Sequence, residues 1–260
     1  MKPELARVPA NTRRNHSLAL RLLPLLDLTS LGEDDSPVQI EALCASARTA
    51  HGLPATLCVY PEHVTTVRRA LAGTAGKVAT VVNFPDGGSD RARAVRETRR
   101  AIAAGADEID LVLPYRALMG GEPMLAEAVV HACRETCGAA VALKLILETG
   151  ELGTPELIGK ACAIGLAARV DFLKTSTGKV SVNATPDAAA VMLDAIAEDG
   201  GRCGFKAAGG IRTLADAGIY LDLARSRLGD DWIVPAHFRI GASALFVELL
   251  AALRCNEAGA

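Results

Sequence analysis

Short apolar runs alternate with helix-patterned stretches eight times along the chain, without a break in composition or a linker between units. The runs predict strands at 25–28, 55–59, 78–82, 108–114, 141–147, 172–174, 204–207 and 238–241. They are apolar over consecutive positions, the pattern of parallel strands covered on both faces. Helical spacing predicts helices at 12–22, 61–71, 125–135, 155–164, 186–198, 213–223 and 245–253. Asp34-Asp35-Ser36-Pro37 and Ser89 mark two more helix starts, a serine cap in each case, with helices running to about 51 and to Gly105. Eight strand-helix units with no glycine fingerprint in the first predict a single closed (β/α)8 barrel rather than a dinucleotide-binding sheet. The expected layout is an N-terminal extension and helix at 1–24, the barrel at 25–254 and a short tail at 255–260.

In a barrel of this kind the site lies at the carboxyl ends of the strands. Val170 to Lys179 is the most telling stretch: an apolar run ends on Lys174 and opens into Thr175-Ser176-Thr177-Gly178-Lys179. An ammonium at the end of a buried strand loses hydration, so it either pairs its charge or gives up its proton, and a neutral amine is a nucleophile. A lysine that snorkels past the strand end into water is the plainer reading of this stretch taken alone. A second stretch of the same form, Gly204-Phe205-Lys206-Ala207-Ala208-Gly209-Gly210, shifts the balance toward a site. Asp27 and Asp110 are expected at the same mouth. At its ordinary pKa a lysine is neutral in only about 1 molecule in 2500 at pH 7. A second ammonium about 6 Å away, at an effective dielectric near 20, would lower that pKa by about 2 units. This predicts Lys174 as imine-forming nucleophile and Lys206 as its activating cation. Asp110 is the candidate proton carrier, with Glu108 on the same strand face as competitor. Asp27 is expected to partner Lys206 or substrate hydroxyls, and Lys144 to add an interior charge. Gly209-Gly210 and Gly241-Ala242-Ser243 follow the last two strands, where barrels often hold phosphate on free backbone N–H groups, and Thr177 and Lys179 could assist. A nucleotide P-loop is ruled out because Leu173 stands where its first glycine would be.

Other classes fit poorly. A net charge of -2 and 3% aromatic residues give little with which to hold nucleic acid. The leucine-rich run at 17–28 is too short to span a membrane and is interrupted by Arg21 and Asp27. Seven irregularly spaced cysteines suggest a reducing compartment, the cytoplasm by default. Cys133 and Cys137 lack a second pair, and the five histidines are scattered, so no metal site is expected.

The stretches Leu26-Asp27-Leu28-Thr29, Cys58-Val59-Tyr60-Pro61, Asn83-Phe84-Pro85, Ala106 to Asp110, Pro114 to Met119, Glu148 to Leu152, Phe172 to Lys179, Gly204-Phe205-Lys206 and Gly241-Ala242-Ser243 resemble, in order, the motifs of the deoxyribose-phosphate aldolases, a class I aldolase family. The likeness implies reversible cleavage of 2-deoxy-D-ribose 5-phosphate to acetaldehyde and D-glyceraldehyde 3-phosphate in deoxynucleoside catabolism. It further implies a Schiff base at Lys174, Lys206 and Asp110 as activating lysine and proton relay, Cys58 in the pocket, no metal or organic cofactor, and a homodimer. Three departures stand out. Ala207 replaces a proline, Ala244 replaces the second of two phosphate-loop serines, and the tail 256–260 lacks the terminal tyrosine of some members. Another imine-forming aldolase, such as a transaldolase, and a barrel that only senses a sugar phosphate are the alternatives. The lysine pair argues against the sensor.

Overall fold

A computed structural model describes residues 10–254. The lead-in before residue 10 and the tail at 255–260, with its missing tyrosine, lie outside the described residues. The eight predicted strands are all present: β1 (Leu26–Ser30), β2 (Thr56–Val59), β3 (Lys77–Val82), β4 (Glu108–Val112), β5 (Ala142–Ile146), β6 (Phe172–Lys174), β7 (Gly204–Ala208) and β8 (Phe238–Ala242). They pair in parallel in sequence order, and β8 returns to β1, closing a (β/α)8 barrel. The helices are α1 (Ala10–Leu22), α2 (Pro37–Ser46), α3 (Val64–Ala70), α4 (Arg91–Ala103), α5 (Tyr115–Met119), α6 (Pro123–Cys137), α7 (Thr149–Leu152), α8 (Pro155–Ala167), α9 (Pro186–Glu198), α10 (Leu214–Leu228) and α11 (Ala244–Arg254).

Helix starts follow local chemistry. Ser36 accepts from the Gln39 N–H while Gln39 reaches back, a reciprocal cap in front of Pro37. Thr154 and Thr185 cap α8 and α9, each before a proline, and Thr213 with Asp216 caps α10. The cap of α4 is Asp90, one residue beyond the predicted Ser89; its carboxylate accepts from the Arg93 N–H. Helix α2 stops at Ser46, short of the predicted 51. There Thr49 bonds Gly52 through backbone and hydroxyl, offering the chain a local alternative to helix.

The apolar core lies between sheet and helices, built from residues such as Leu57, Ile109, Leu145, Phe205 and Ile240. Inside the barrel a small separate cluster of Cys58, Ala79 and Val81 occupies the β2–β3 side. Charge fills much of the remainder: Asp27, Glu108, Asp110, Lys144, Lys174, Lys206 and Arg239 are all buried. Strand β4 pairs only with β3 and β5, so an ion pair from Asp110 to Lys206 on β7, or from Glu108 to Arg239 on β8, must cross the barrel interior.

One expectation about depth is corrected. Of the four charged residues predicted at strand ends, only Lys174 closes its strand; Asp27, Asp110 and Lys206 stand within theirs. For β1 the cause is Pro24, which sits in a 3-10 turn at Leu23–Leu25. The strand therefore starts at Leu26 and runs on to Ser30, beyond the predicted 28, where Ser30 pairs with Val59. Asp27 is thus a residue of the barrel's depth.

Candidate active site

Three lysines converge on one carboxylate. Lys174 Nζ and Lys206 Nζ each lie 2.7 Å from Asp110 Oδ2, and Lys144 Nζ lies 2.7 Å from Oδ1. The register brings them together: Asp110 pairs with Lys144 across β4 and β5, and Lys174 with Lys206 across β6 and β7. Beneath this layer Lys206 is 2.6 Å from Asp27 Oδ2, and Lys144 is 2.7 Å from Glu108 Oε2 and 3.5 Å from Asp27 Oδ2. Arg239 closes the floor. Its Nη1 donates to Asp27 Oδ1 at 2.6 Å and its Nη2 to Glu108 Oε1 at 3.1 Å, its Nε donates to the Pro235 carbonyl, and its guanidinium lies 5.2 Å from the centre of the Phe172 ring.

The two lysines that share Asp110 Oδ2 are pushed in opposite directions. Burial drives the Lys174 amine below the usual lysine value, the Asp110 charge opposes this, and the Lys206 charge reinforces it. For Lys206 burial acts in the same sense, but Asp110 and Asp27 together outweigh it and hold its ammonium above the usual value. Lys144, facing Asp110, Glu108 and Asp27, likewise overcomes burial and stays well above it. Burial would raise the Asp110 carboxyl, but Lys144, Lys174 and Lys206 hold it well below the ordinary range. Lys144, Lys206 and Asp110 are thus favoured in their charged forms, and of the three lysines Lys174 alone is shifted toward its neutral form.

Access makes the same distinction. A cavity of about 440 Å³ opens at the carboxyl ends of the strands, and Lys174 lines it while Lys206 and Lys144 do not. Its wall carries Thr177, Gly178 and Lys179 after β6, Gly209, Gly210 and Arg212 after β7, and Gly241, Ser243 and Ala244 at the end of β8. Of the residues expected to meet substrate, Thr177, Lys179, Gly209, Gly210, Gly241 and Ser243 therefore stand at the cavity. Asp27, Cys58 and Lys144 lie below it. Cys58 is fully buried, and burial pushes its thiol up, away from the reactive thiolate. Gly209 has φ +88° and an added Cβ would sit 2.7 Å from Asn183, so the turn needs glycine twice over. Gly241 has another task, since a Cβ there would come within 2.9 Å of Lys206 Cε.

The loop that presents Lys174 is tied on both sides. Thr175 Oγ1 donates to the Ala208 carbonyl at 3.0 Å and accepts from the Ala208 N–H at 2.9 Å, joining the end of β6 to that of β7. Thr177 donates from N–H and hydroxyl to Glu148, a fully buried carboxylate in the left-handed region at φ 58°. Burial raises the Glu148 carboxyl. Lys179 reaches across the mouth to the Leu31 carbonyl at 2.7 Å. Arg212, Glu148, Thr175 and Arg239 were given no role in the sequence reading. Arg212 had a usable signal, a cation two residues after Gly209-Gly210, and Arg239 a weaker one, a charge inside an apolar strand.

Residues 22–244 match the family described as DeoC/LacD family aldolase. The chain belongs to that family. It is an aldolase, a carbon-carbon lyase on a (β/α)8 barrel. Among solved structures it resembles a protein from Coccidioides immitis provisionally named deoxyribose-phosphate aldolase, at 29% identity over 88% of this chain and 86% of that one, with a TM-score of 0.77. An apo structure of a similarly named protein from Toxoplasma gondii matches at 25% identity over 94% and 98%, with a TM-score of 0.86. A tetrameric deoxyribose phosphate aldolase from Aeropyrum pernix, at 21% identity over 92% of each chain and a TM-score of 0.66, shares the fold. Among the described residues no helix is long and apolar enough to cross a membrane, and no three histidine, cysteine or carboxylate side chains form a metal-binding group.

Proposed function

We propose that this aldolase reversibly cleaves 2-deoxy-D-ribose 5-phosphate to D-glyceraldehyde 3-phosphate and acetaldehyde through a Schiff base on Lys174. One observation carries the reading: of the three lysines around Asp110, only Lys174 lines the cavity, and it is the one whose amine is pushed toward neutrality. The names of the solved relatives support the substrate, as does the lining of the cavity. Its wall offers Lys179, Arg212, the Ser243 hydroxyl and glycine turns, a set suited to a phosphate.

In cleavage the Lys174 amine attacks the sugar aldehyde, and loss of water leaves an iminium. Asp110, through a bridging water, takes the proton from the C3 hydroxyl as the C2–C3 bond breaks; the electron pair of that bond moves toward the iminium nitrogen, glyceraldehyde 3-phosphate leaves and an enamine remains. Protonation of the enamine carbon and hydrolysis then free acetaldehyde and Lys174. Asp110 Oδ2, 2.7 Å from both Lys174 and Lys206, is placed to return that proton to the enamine carbon by the same water. Asp27, Lys144 and Cys58 serve beneath the site rather than on substrate.

The reading implies deoxynucleoside breakdown in the cytoplasm by a homodimer, with no cofactor and no nucleic-acid or membrane partner. Light scattering separates that dimer from a tetramer like the Aeropyrum protein's. The chemistry is tested with acetaldehyde and borohydride: a stable ethyl group should appear on Lys174, located by peptide mapping. Label elsewhere with Lys174 untouched would exclude the mechanism.

A further inference from the structure

We propose that Arg239, on the barrel floor and out of contact with Lys174, sets the charge state of that amine by completing a balance of three carboxylates against three permanent cations. The inference rests on Lys174 being the nucleophile. Asp27, Glu108 and Asp110 carry three negative charges, joined through Lys144, Lys206 and Arg239 into one buried network. Those three cations cancel them. A protonated Lys174, bonded to the same Asp110, would give the network one positive charge beyond its three carboxylates at a site only 3% exposed, where water screens it weakly, so the balance favours the neutral amine.

Removing the Arg239 charge reverses that. Three carboxylates would face only Lys144 and Lys206, and the missing positive charge is most readily supplied by protonating Lys174. Arg239 suits the part because its guanidinium does not deprotonate in a protein and its fork spans Asp27 on β1 and Glu108 on β4. The other charged groups near these two residues lie outside that buried network. Facing Lys174, the Cys58 thiol on β2 is neutral; Glu148 after β5 attracts the Lys174 charge, but it hydrogen-bonds Thr177 and no lysine, and burial biases its carboxyl toward the neutral form. Facing the floor, Lys77 approaches Glu108 at 3.6 Å from β3, but its side chain is 55% exposed and water screens it.

The test follows imine formation between acetaldehyde and the full-length protein from about pH 6 to about pH 10, trapped with borohydride and quantified at Lys174. Arg239→Met should move the midpoint of the rate profile up by about one unit, the effect of one unit charge at roughly 10 Å in an effective dielectric near 20. Arg239→Lys should leave it near wild type. Arg239→Met combined with Glu108→Gln removes one charge of each sign and should return the midpoint toward wild type, a rescue that lost packing alone would not give. Glu108→Gln alone should move it down. An unmoved midpoint in Arg239→Met, or a folded double variant as displaced as the single one, would overturn the proposal. Should Arg239→Met fail to fold, an unmoved midpoint in Glu108→Gln overturns it equally. A wild-type protein unlabelled at Lys174 would instead refute the functional reading.

Discussion

Replacing Lys206 with methionine separates an activating charge from a structural one. The substitution keeps a straight apolar stem in a fully buried position and removes only the ammonium. Lys206 and Lys174 both lie 2.7 Å from one oxygen, so their nitrogens are at most about 5.4 Å apart, and at an effective dielectric near 20 their repulsion is at least about 3 kcal/mol. That corresponds to about 2 pKa units. Two further consequences push the same way: Asp110 Oδ2 is left to Lys174 alone, and Asp27 keeps only Arg239 and the more distant Lys144. Repulsion is not, as the sequence alone suggests, the main source of the amine's reactivity. Burial is the larger push, so Lys206→Met should weaken the amine without disabling it. The neutral fraction at pH 7 should fall about a hundredfold, and imine formation with it, recovering substantially toward about pH 9. The assay is borohydride trapping of acetaldehyde at Lys174 across that range, with Lys174→Met as the control that never labels. A Lys206→Met protein that keeps the wild-type pH profile would refute the electrostatic reasoning.

Gly241→Ala should act on Lys206 from the outside: the new Cβ, 2.9 Å from Lys206 Cε and 3.1 Å from Ala208 Cβ, would displace a side chain pinned between two carboxylates. The expected outcome is a roughly tenfold or greater fall in kcat with about 1–3 kcal/mol lost in urea unfolding; full activity would mean that the ammonium tolerates displacement. Ala244 is exposed on the cavity wall where a serine would add one hydroxyl, so Ala244→Ser should lower KM for the phosphorylated sugar a few-fold, about 1 kcal/mol. An unchanged KM would place the phosphate elsewhere. Stability should fall at both ends of the pH scale. Asp27, Glu108 and Asp110 are held below their ordinary values, so their contribution is complete above about pH 4 and is lost as pH falls through the folded values. Lys144 and Lys206 are held above theirs, so their contribution is complete below about pH 10.4 and is lost beyond it. A melting temperature that climbs steadily from pH 7 to about pH 3 would contradict the carboxylate assignment.

What can be read from residues that are neighbours in the chain was legible in the sequence. Period and length in the apolar runs set eight strands, Ser36-Pro37 sets a helix start, and eight repeats of one unit leave few topologies other than a closed barrel. The position of Lys174 was legible too, because a strand that turns from apolar residues to lysine and then to small polar ones announces its own end. Boundaries were less so where a competing local bond intervened, as at Pro24, Thr49 and Asp90. Closure of the barrel decided the rest. Glu108 meets Arg239 across 131 residues of chain and Asp27 meets it across 212, pairings fixed by strand stagger and not by any local pattern. Lys174 and Lys206 look alike in sequence, each at the end of an apolar run. Only the fold gives Lys206 two carboxylates and no opening, and Lys174 one carboxylate and a cavity, because an amine's charge depends on everything buried within several ångströms of it, wherever in the chain those groups reside.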